Sequence, residues 1–400
     1  MNIALLIPEL GGGGAERVAQ ILGNYYVEKG NKVYYFIADT NVEQDYFVKG
    51  EIIQSGIKRC MYGRKNNVQK IVNLLSSALK MKKLKVRYKI DVAISFMEEF
   101  NYINILSKGR EKVITRICTM LSVCEELYPE NILFRKSVIH FFYTKADKVV
   151  VLSQKAEEEM QFYYKVPKKI LIKIPNMVTY IGTQKNKTSD WTYGKKTVVC
   201  VGRLAVEKQY ERIIRAFSYV CSKEPEARLI ILGKGSLLYY LRRMCKKYHI
   251  DDYVVFTGFI DDVSLYLENA RVFVMASRVE GFPNSMIEAM GYGVPIVTTD
   301  SFGACGEIVG KTREMKNVSE LTLCEYGVLT PDMPHEGLKI DSQLSEQETI
   351  LGKAILKILT EEDIYEKYRK QSFRRAKMFY IGKIIKKWNK VCNYEYGGQK

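Results

Sequence analysis

Histidine is nearly absent from the chain: three residues in 400, His140, His249 and His335, standing far apart. No imidazole-based metal centre is expected from them. The nine cysteines are scattered, odd in number and contain no C-x-x-C pair. That excludes a zinc ribbon or a disulfide framework and points to reduced thiols in a cytoplasmic setting. No apolar run reaches the roughly 20 residues of a membrane-spanning helix. The run Ile3–Ile7 is too short for a signal peptide and has no basic lead. Acidic residues are missing altogether from Ile52 to Ile90, where eleven basic residues stand. No RNA- or DNA-binding motif accompanies them, so nucleic acid is not the expected partner.

What is present is globular composition. Hydrophobic residues make up 47% and charged residues 27%, enough for full-sized cores. The length suggests two or three domains. A formal net charge of +17 favours an anionic partner: a phosphorylated substrate or an anionic lipid surface. The segment Lys70–Arg87 has helical spacing, with Ile71, Leu74, Leu75, Ala78, Leu79 and Leu84 on the apolar side. Lys80, Lys83 and Arg87 fall on the polar side. That face is either a solvated helix surface or a peripheral dock for an anionic membrane.

The order of elements reads as two strand–helix series. Asn2–Pro8 is a continuous apolar run of the buried, parallel kind. Gly11-Gly12-Gly13-Gly14 follows, then a helix over about Ala15–Lys29 and a strand over Lys32–Ala38. A glycine loop between strand and helix is where a doubly wound domain meets phosphates. A dinucleotide fingerprint would need a third glycine where Glu16 stands, although Asp39 sits where its acid belongs. Strands are expected at 91–96, 112–117 and 148–152, and Ser153 caps the following helix. The polar, aperiodic stretch up to Lys195 reads as a linker. A second series opens at Thr197–Val201, followed by Gly202, Arg203 and Lys208. Strands at 228–232 and 253–258 lead into Gly233-Lys234-Gly235 and Phe259–Ile260. The adjacent acids Asp261 and Asp262 fit a helix N-terminus better than a metal site.

The densest stretch is 277–298, where Glu280 and Glu288 are separated by seven residues. On one straight helix they would lie about 12 Å apart along the axis. Gly281 and Pro283 instead make a turn, which can fold Glu280 back so that both acids face one cleft. Between them the amides of Phe282, Asn284 and Ser285 lie at a helix start, where backbone donors attract anions. Each acid also has a plain structural reading. Ser285 and Glu288 fit a capping box, and Glu280 fits a solvated loop position.

The string Glu280–Val297, EGFPNSMIEAMGYGVPIV, resembles the E-x7-E signature of retaining glycosyltransferases of family 4 (GT4), which have the GT-B fold. GGGGAERVAQ resembles their first glycine turn, and GRLAVEK their G-R-L-x-x-x-K motif. Thr299–Glu307 is similar to the segment that follows the signature, with Cys305 and Gly306 departing from it. The histidine many relatives carry after the 112–117 strand is missing here, which leaves Arg116 as a candidate contact for an acceptor phosphate. Gln209 replaces the glycine common after the motif lysine, a change expected to matter little.

The resemblance implies α/β architecture: two Rossmann-like doubly wound domains facing across a cleft, with a C-terminal helix crossing back to the first. The expected divisions are 1–178 for the acceptor domain, 179–195 for the linker, 196–370 for the nucleotide-sugar domain and 371–400 for the returning helix. It implies a retaining hexosyltransferase, with Arg203 and Lys208 on the donor diphosphate and Glu280 on a sugar hydroxyl. Glu288 would hold the ribose hydroxyls. Gly13, Gly14, Gly202, Gly233, Ile260, Phe282, Asn284 and Ser285 would complete the donor site. No metal or other cofactor is implied. The expected partners are a UDP-hexose or UDP-N-acetylhexosamine and a glycan or polyprenyl-diphosphate-linked acceptor of surface-polysaccharide assembly. The setting would be cytoplasmic, at the inner face of the membrane. Two other classes are open: an NAD-type enzyme using Gly13 and Asp39, and a non-catalytic basic module.

Overall fold

A computed structural model describes residues 1–39, 47–58, 67–122, 132–182, 194–311, 317–334 and 343–393. They form two compact units: Met1–Asn176 with Ile384–Lys400, and Met177–Lys383.

The first unit is built on β1 (Asn2–Leu6), α1 (Gly14–Glu28), β2 (Lys32–Ile37), β3 (Glu51–Gln54), α2 (Asn67–Arg87), β4 (Val92–Phe96) and α3 (Glu98–Leu106). It continues with β5 (Lys112–Arg116), α4 (Ile132–Tyr143), β6 (Lys148–Val151), α5 (Gln154–Glu158) and β7 (Leu171–Lys173). The strands form one parallel sheet in the order β3-β2-β1-β4-β5-β6-β7. β1 and β4 are apolar on both faces because helices cover both, and Ile3–Leu6 and Val92–Phe96 are buried throughout. Ser153 caps α5 by accepting from the Ala156 N–H at 3.1 Å.

The second unit repeats the plan. It runs through β8 (Thr197–Val201), a 3-10 turn at Val206–Lys208, α6 (Tyr210–Lys223), β9 (Arg228–Leu232), α7 (Leu238–Lys247), β10 (Val254–Gly258), α8 (Ser264–Glu268) and β11 (Val272–Met275). There follow β12 (Val279–Glu280), α9 (Asn284–Gly291), β13 (Ile296–Thr299), β14 (Phe302–Gly303), α10 (Cys305–Val309), β15 (Thr322–Leu323) and β16 (Val328–Thr330). Then come α11 (Glu346–Thr360), α12 (Glu362–Ala376) and α13 (Ile381–Cys392), whose residues from Ile384 belong to the first unit. The main sheet is ordered β10-β9-β8-β11-β13-β16-β15 and is parallel except for the last pair. Thr322–Leu323 thus supplies the edge strand β15. Its core joins β8, β9 and β11 to α6 and α11 through residues such as Val198, Phe217, Leu229, Val274 and Ile355. Each such side chain contributes roughly 1.5–3 kcal/mol on burial.

The basic run over 362–393 is not one helix. It breaks between Ala376 and Ile381. α12 stays in the second unit, where Tyr368 donates to the Cys324 carbonyl and Ser372 to the Val294 carbonyl. The returning segment therefore begins at Ile384 rather than at residue 371. Ile384, Ile385, Trp388, Val391 and Cys392 are buried in the first unit, and Tyr26 of α1 donates to the Cys392 sulfur at 3.4 Å. Most of the stretch read as a linker, 183–193, lies outside the described residues.

Candidate active site

In a sheet of this order the chain reverses direction between the first and fourth strands, and ligands bind at the carboxyl ends beside that point. In the second unit the switch lies between β8 and β11. The loops leaving these strands carry the sequence-predicted residues. Gly202 follows β8, Gly233 follows β9, Ile260 follows β10, and Glu280 follows β11.

Close backbone approach explains the glycines. The Gly202 N–H donates to the Leu232 carbonyl at 2.9 Å, and the Gly233 N–H to the Gly258 carbonyl at 2.8 Å. A Cβ on Gly233 would sit 1.9 Å from the Gly202 carbonyl oxygen, and φ there is +149°. No side chain fits that crossing. Leu204 and Lys234 join the same two loops through a 3.0 Å backbone hydrogen bond. Lys234 also lies over the Phe259 ring at 5.0 Å, ahead of the half-buried Ile260. Asp262 accepts the Ser264 N–H at 3.0 Å, as an acid at a helix start does. Among the described residues, no group of three or more His, Cys, Asp or Glu is placed to hold a metal ion.

Lys208 and Glu280 meet. Lys208 Nζ donates to Glu280 Oε1 at 2.5 Å, with both side chains largely buried. Two local devices place them. The Arg278 N–H donates to the Glu207 carbonyl at 2.8 Å, which ties the loop after β11 to the 3-10 turn that carries Lys208. Glu280 is not a loop residue as the sequence suggested. It forms β12 with Val279 and pairs in parallel with β14. Gly303 makes this possible, because its φ is +115° and a Cβ would lie 1.6 Å from the Glu280 carbonyl oxygen. Cys305, fully buried behind this pair, has its thiol pushed up to about 12 by burial and by the charge of Glu280.

Arg203 does not join that pair. Its side chain is exposed and reaches Glu207 at 3.1 Å, four residues on. Such an exposed pair holds an arginine weakly, so a stronger anion can recruit it. Gln209, expected to be a neutral replacement for glycine, sits in the left-handed conformation at φ +49°. Its buried Oε1 has no hydrogen-bond partner. A glycine would occupy this conformation without strain.

α9 begins two residues earlier than the capping-box reading required. Pro283 is its N-cap, no side chain caps it, and Asn284 and Ser285 are its first two residues. Glu288 lies beyond the first turn and is half-buried. The bland reading of Ser285 and Glu288 as a reciprocal cap is therefore overturned. Phe282 is buried edge-on against Phe379, with ring centroids 5.2 Å apart. A Cβ on Gly291, at the far end of the helix, would meet the Tyr180 carbonyl oxygen at 2.7 Å.

In the first unit, Gly13 is the N-cap of α1 and Gly14 its first residue. A Cβ on Gly13 would collide with the buried carboxylate of Glu16. Asp39 accepts the Gly56 N–H at 2.8 Å and so ties the end of β2 to the turn after β3. Arg116, read from sequence as a phosphate contact, is buried. Its guanidinium bonds Asn176 and Cys118 and lies against the Phe96 ring. Glu307 offers its backbone carbonyl to Arg375, which also takes the Ile308 carbonyl.

Sequence reasoning missed three parts of this assembly. The two-residue strands β12 and β14 are too short to show alternation. The contribution of Cys305 depends on a contact 25 residues from Glu280. The buried triad of Arg212, Arg215 and Glu348, at 2.9 and 2.8 Å, joins α6 to α11 and holds the rear of the sheet. Ser345 and Glu348 form the capping box there.

Comparison with known proteins gives a consistent result. The family model "Glycosyltransferase Family 4" matches residues 12–179, and "Glycosyl transferases group 1" matches residues 183–315. An N-acetylgalactosamine-N,N'-diacetylbacillosaminyl-diphospho-undecaprenol 4-alpha-N-acetylgalactosaminyltransferase from Campylobacter jejuni is 25% identical over 397 residues, covering 96% of this chain and 97% of its own. An uncharacterized glycosyltransferase from Methanocaldococcus jannaschii is 28% identical over 362 residues, covering 86% and 89%. Among solved structures, sucrose-phosphate synthase from Thermosynechococcus elongatus superposes with a TM-score of 0.76 at 18% identity, covering 98% of each chain. Anabaena HepE in complex with UDP and glucose gives 0.74 at 15% identity, covering 99% of this chain and 100% of its own. The chain belongs to the group 1, family 4 glycosyltransferases, and its two units are the Rossmann-like domains of the GT-B fold.

Proposed function

We propose that the enzyme transfers a hexose or N-acetylhexosamine from a UDP-sugar to a lipid-linked glycan, with retention of configuration. The observation that carries this reading is the Lys208–Glu280 pair at the carboxyl edge of the second sheet, beside the first turn of α9. A nucleoside diphosphate leaves with growing negative charge, and fixed cations lower the barrier by meeting that charge. Lys208 and the recruitable Arg203 supply it. Glu288 takes the ribose hydroxyls, since two adjacent hydroxyls match the two oxygens of a carboxylate. Glu280 orients a sugar hydroxyl and holds Lys208 in place. Phe282, Asn284 and Ser285 offer backbone donors to the sugar or phosphate, and Gly202, Gly233 and Ile260 offer main chain to the nucleotide. Gly13 and Gly14 keep the backbone of their own turn open to a phosphate.

In the reaction the bond from the anomeric carbon to the diphosphate oxygen breaks, and the acceptor oxygen bonds the same face. The acceptor proton passes to the departing phosphate. Positioning and charge do the work, without a covalent nucleophile or a metal. HepE has been captured with UDP and with UDP-glucose, and the Campylobacter relative acts on a diphospho-undecaprenol acceptor, which favours this donor and acceptor class. A lipid-linked acceptor would place the enzyme on the cytoplasmic side of the membrane, in surface-polysaccharide assembly.

Calorimetric titration with UDP, GDP and NAD, beside Glu288→Ala, tests the reading. UDP binding that the variant loses supports it, and turnover in EDTA should be unchanged. GDP preference overturns the donor assignment. NAD binding, or binding indifferent to Glu288, overturns the whole.

A further inference from the structure

Helix α2 wears its apolar residues on the outside. Val68, Ile71, Val72, Leu75, Leu79 and Val86 are each 50% exposed or more. At 100° per residue they fall within one arc of about 100°. The side that packs is a different one: Ser77, Ala78, Met81 and Lys85 are buried, and Met81 joins the core with Phe36, Ile90 and Ala93. A helix of a globular protein ordinarily turns its apolar stripe inward. Exposed aliphatics gathered on one stripe mark a surface that something covers.

Charge says what covers it. α2 carries no acidic residue. Lys82 falls inside the apolar arc, and Lys83 and Arg87 fall beside it, all three exposed. Lys85 is excluded from this face, since it is buried against Glu111 at 2.8 Å and the Asn104 carbonyl at 3.0 Å. A second copy docked through the same stripe would bring two cationic faces together with no acid on either, because a two-fold contact presents the same patch from both sides. An apolar stripe edged by cations with no anion suits a bilayer bearing anionic headgroups. No described helix is long and apolar enough to cross a membrane, so α2 would lie in the interface plane.

We infer that α2 docks the enzyme on anionic membranes: Val68, Ile71, Val72, Leu75 and Leu79 enter the acyl boundary, while Lys82, Lys83 and Arg87 meet lipid phosphates. The inference is independent of the donor chemistry, and it places the enzyme where a lipid-borne acceptor lies if the proposed function holds.

The test is co-sedimentation of the full chain with phosphatidylcholine vesicles, with and without a third of phosphatidylglycerol. Binding to the anionic vesicles is expected to fall roughly tenfold or more in Lys82→Ser/Lys83→Ser and in Leu75→Ser/Leu79→Ser. Leu75→Trp should show a blue-shifted emission on those vesicles, which surface adhesion alone would not give. UDP titration of each variant should match the parent protein, separating loss of docking from loss of fold. No pelleting, or pelleting indifferent to the leucine pair, overturns the inference. So does a dimer in light scattering that the leucine pair dissolves, since the occupant is then a second copy. Failure to bind UDP would sink the proposed function and leave docking standing.

Discussion

Lys208 and Glu280 are 72 residues apart in the chain and form one buried ion pair, Nζ to Oε1 at 2.5 Å. The pair sits where the donor diphosphate is proposed to bind, so each partner is already desolvated before a ligand arrives. Lys208→Met should lower kcat by about 100- to 1000-fold, the usual effect of removing a group that meets transition-state charge. Glu280→Gln keeps the shape and should lower it less. Steady-state kinetics with a UDP-sugar decide this, and near-normal kcat in both variants would remove the pair from the chemistry.

Gly303 is required by its neighbour's backbone rather than by its own loop. In Gly303→Ala the new methyl meets the Glu280 carbonyl, and β12 must part from β14. A cost of about 1–3 kcal/mol is expected in urea unfolding. Activity should fall further than stability, because the displaced strand carries Glu280.

Gln209 pays twice for its position, through left-handed backbone and through a buried, unpartnered Oε1. Gln209→Gly should raise stability by about 1 kcal/mol. A higher urea midpoint with an unchanged slope is the expected reading. A lower midpoint would mean that the side chain packs better than its oxygen suggests.

Glu348 is the shared acceptor of Arg212 and Arg215. Burial pushes its carboxyl up, but Arg215, the Ser345 N–H and Arg212 outweigh burial and hold it below the ordinary 4.5. A carboxyl lowered on folding stabilises above its unfolded value, and that stability is lost as pH falls through the folded value. Glu348→Gln leaves two buried guanidiniums short of an anion and should cost about 3–5 kcal/mol at neutral pH. The gap between variant and parent should narrow as unfolding is followed from pH 7 to below pH 4.5.

The sheet of each unit was legible because β1, β4, β8 and β11 are short, mainly apolar runs that are almost wholly buried. The Lys208–Glu280 pair was within reach of the sequence because the two motifs lie in loops that leave the paired strands β8 and β11. Two-residue strands have no period, so β12 and β14 left no trace. The orientation of α2 was misread for a related reason. Leu74 and Ala78 lie next to Ile71, Leu75 and Leu79 around the helix, and periodicity finds one broad stripe without saying which part meets the core. Lys85 settles it by turning inward to Glu111, and that partner lies 26 residues away. The burial of Arg116 was equally out of reach, because its partner Asn176 comes from the end of the unit.

The first unit is finished by Ile384, Ile385 and Trp388, which the ribosome delivers only after all of Met177–Lys383. At usual elongation rates the gap is roughly 10–40 s. During that interval the second unit is being made, while α1 waits with the face around Tyr26 uncovered. A chain that stops at Lys383 would therefore hold every residue of the second unit and a first unit still lacking its last helix.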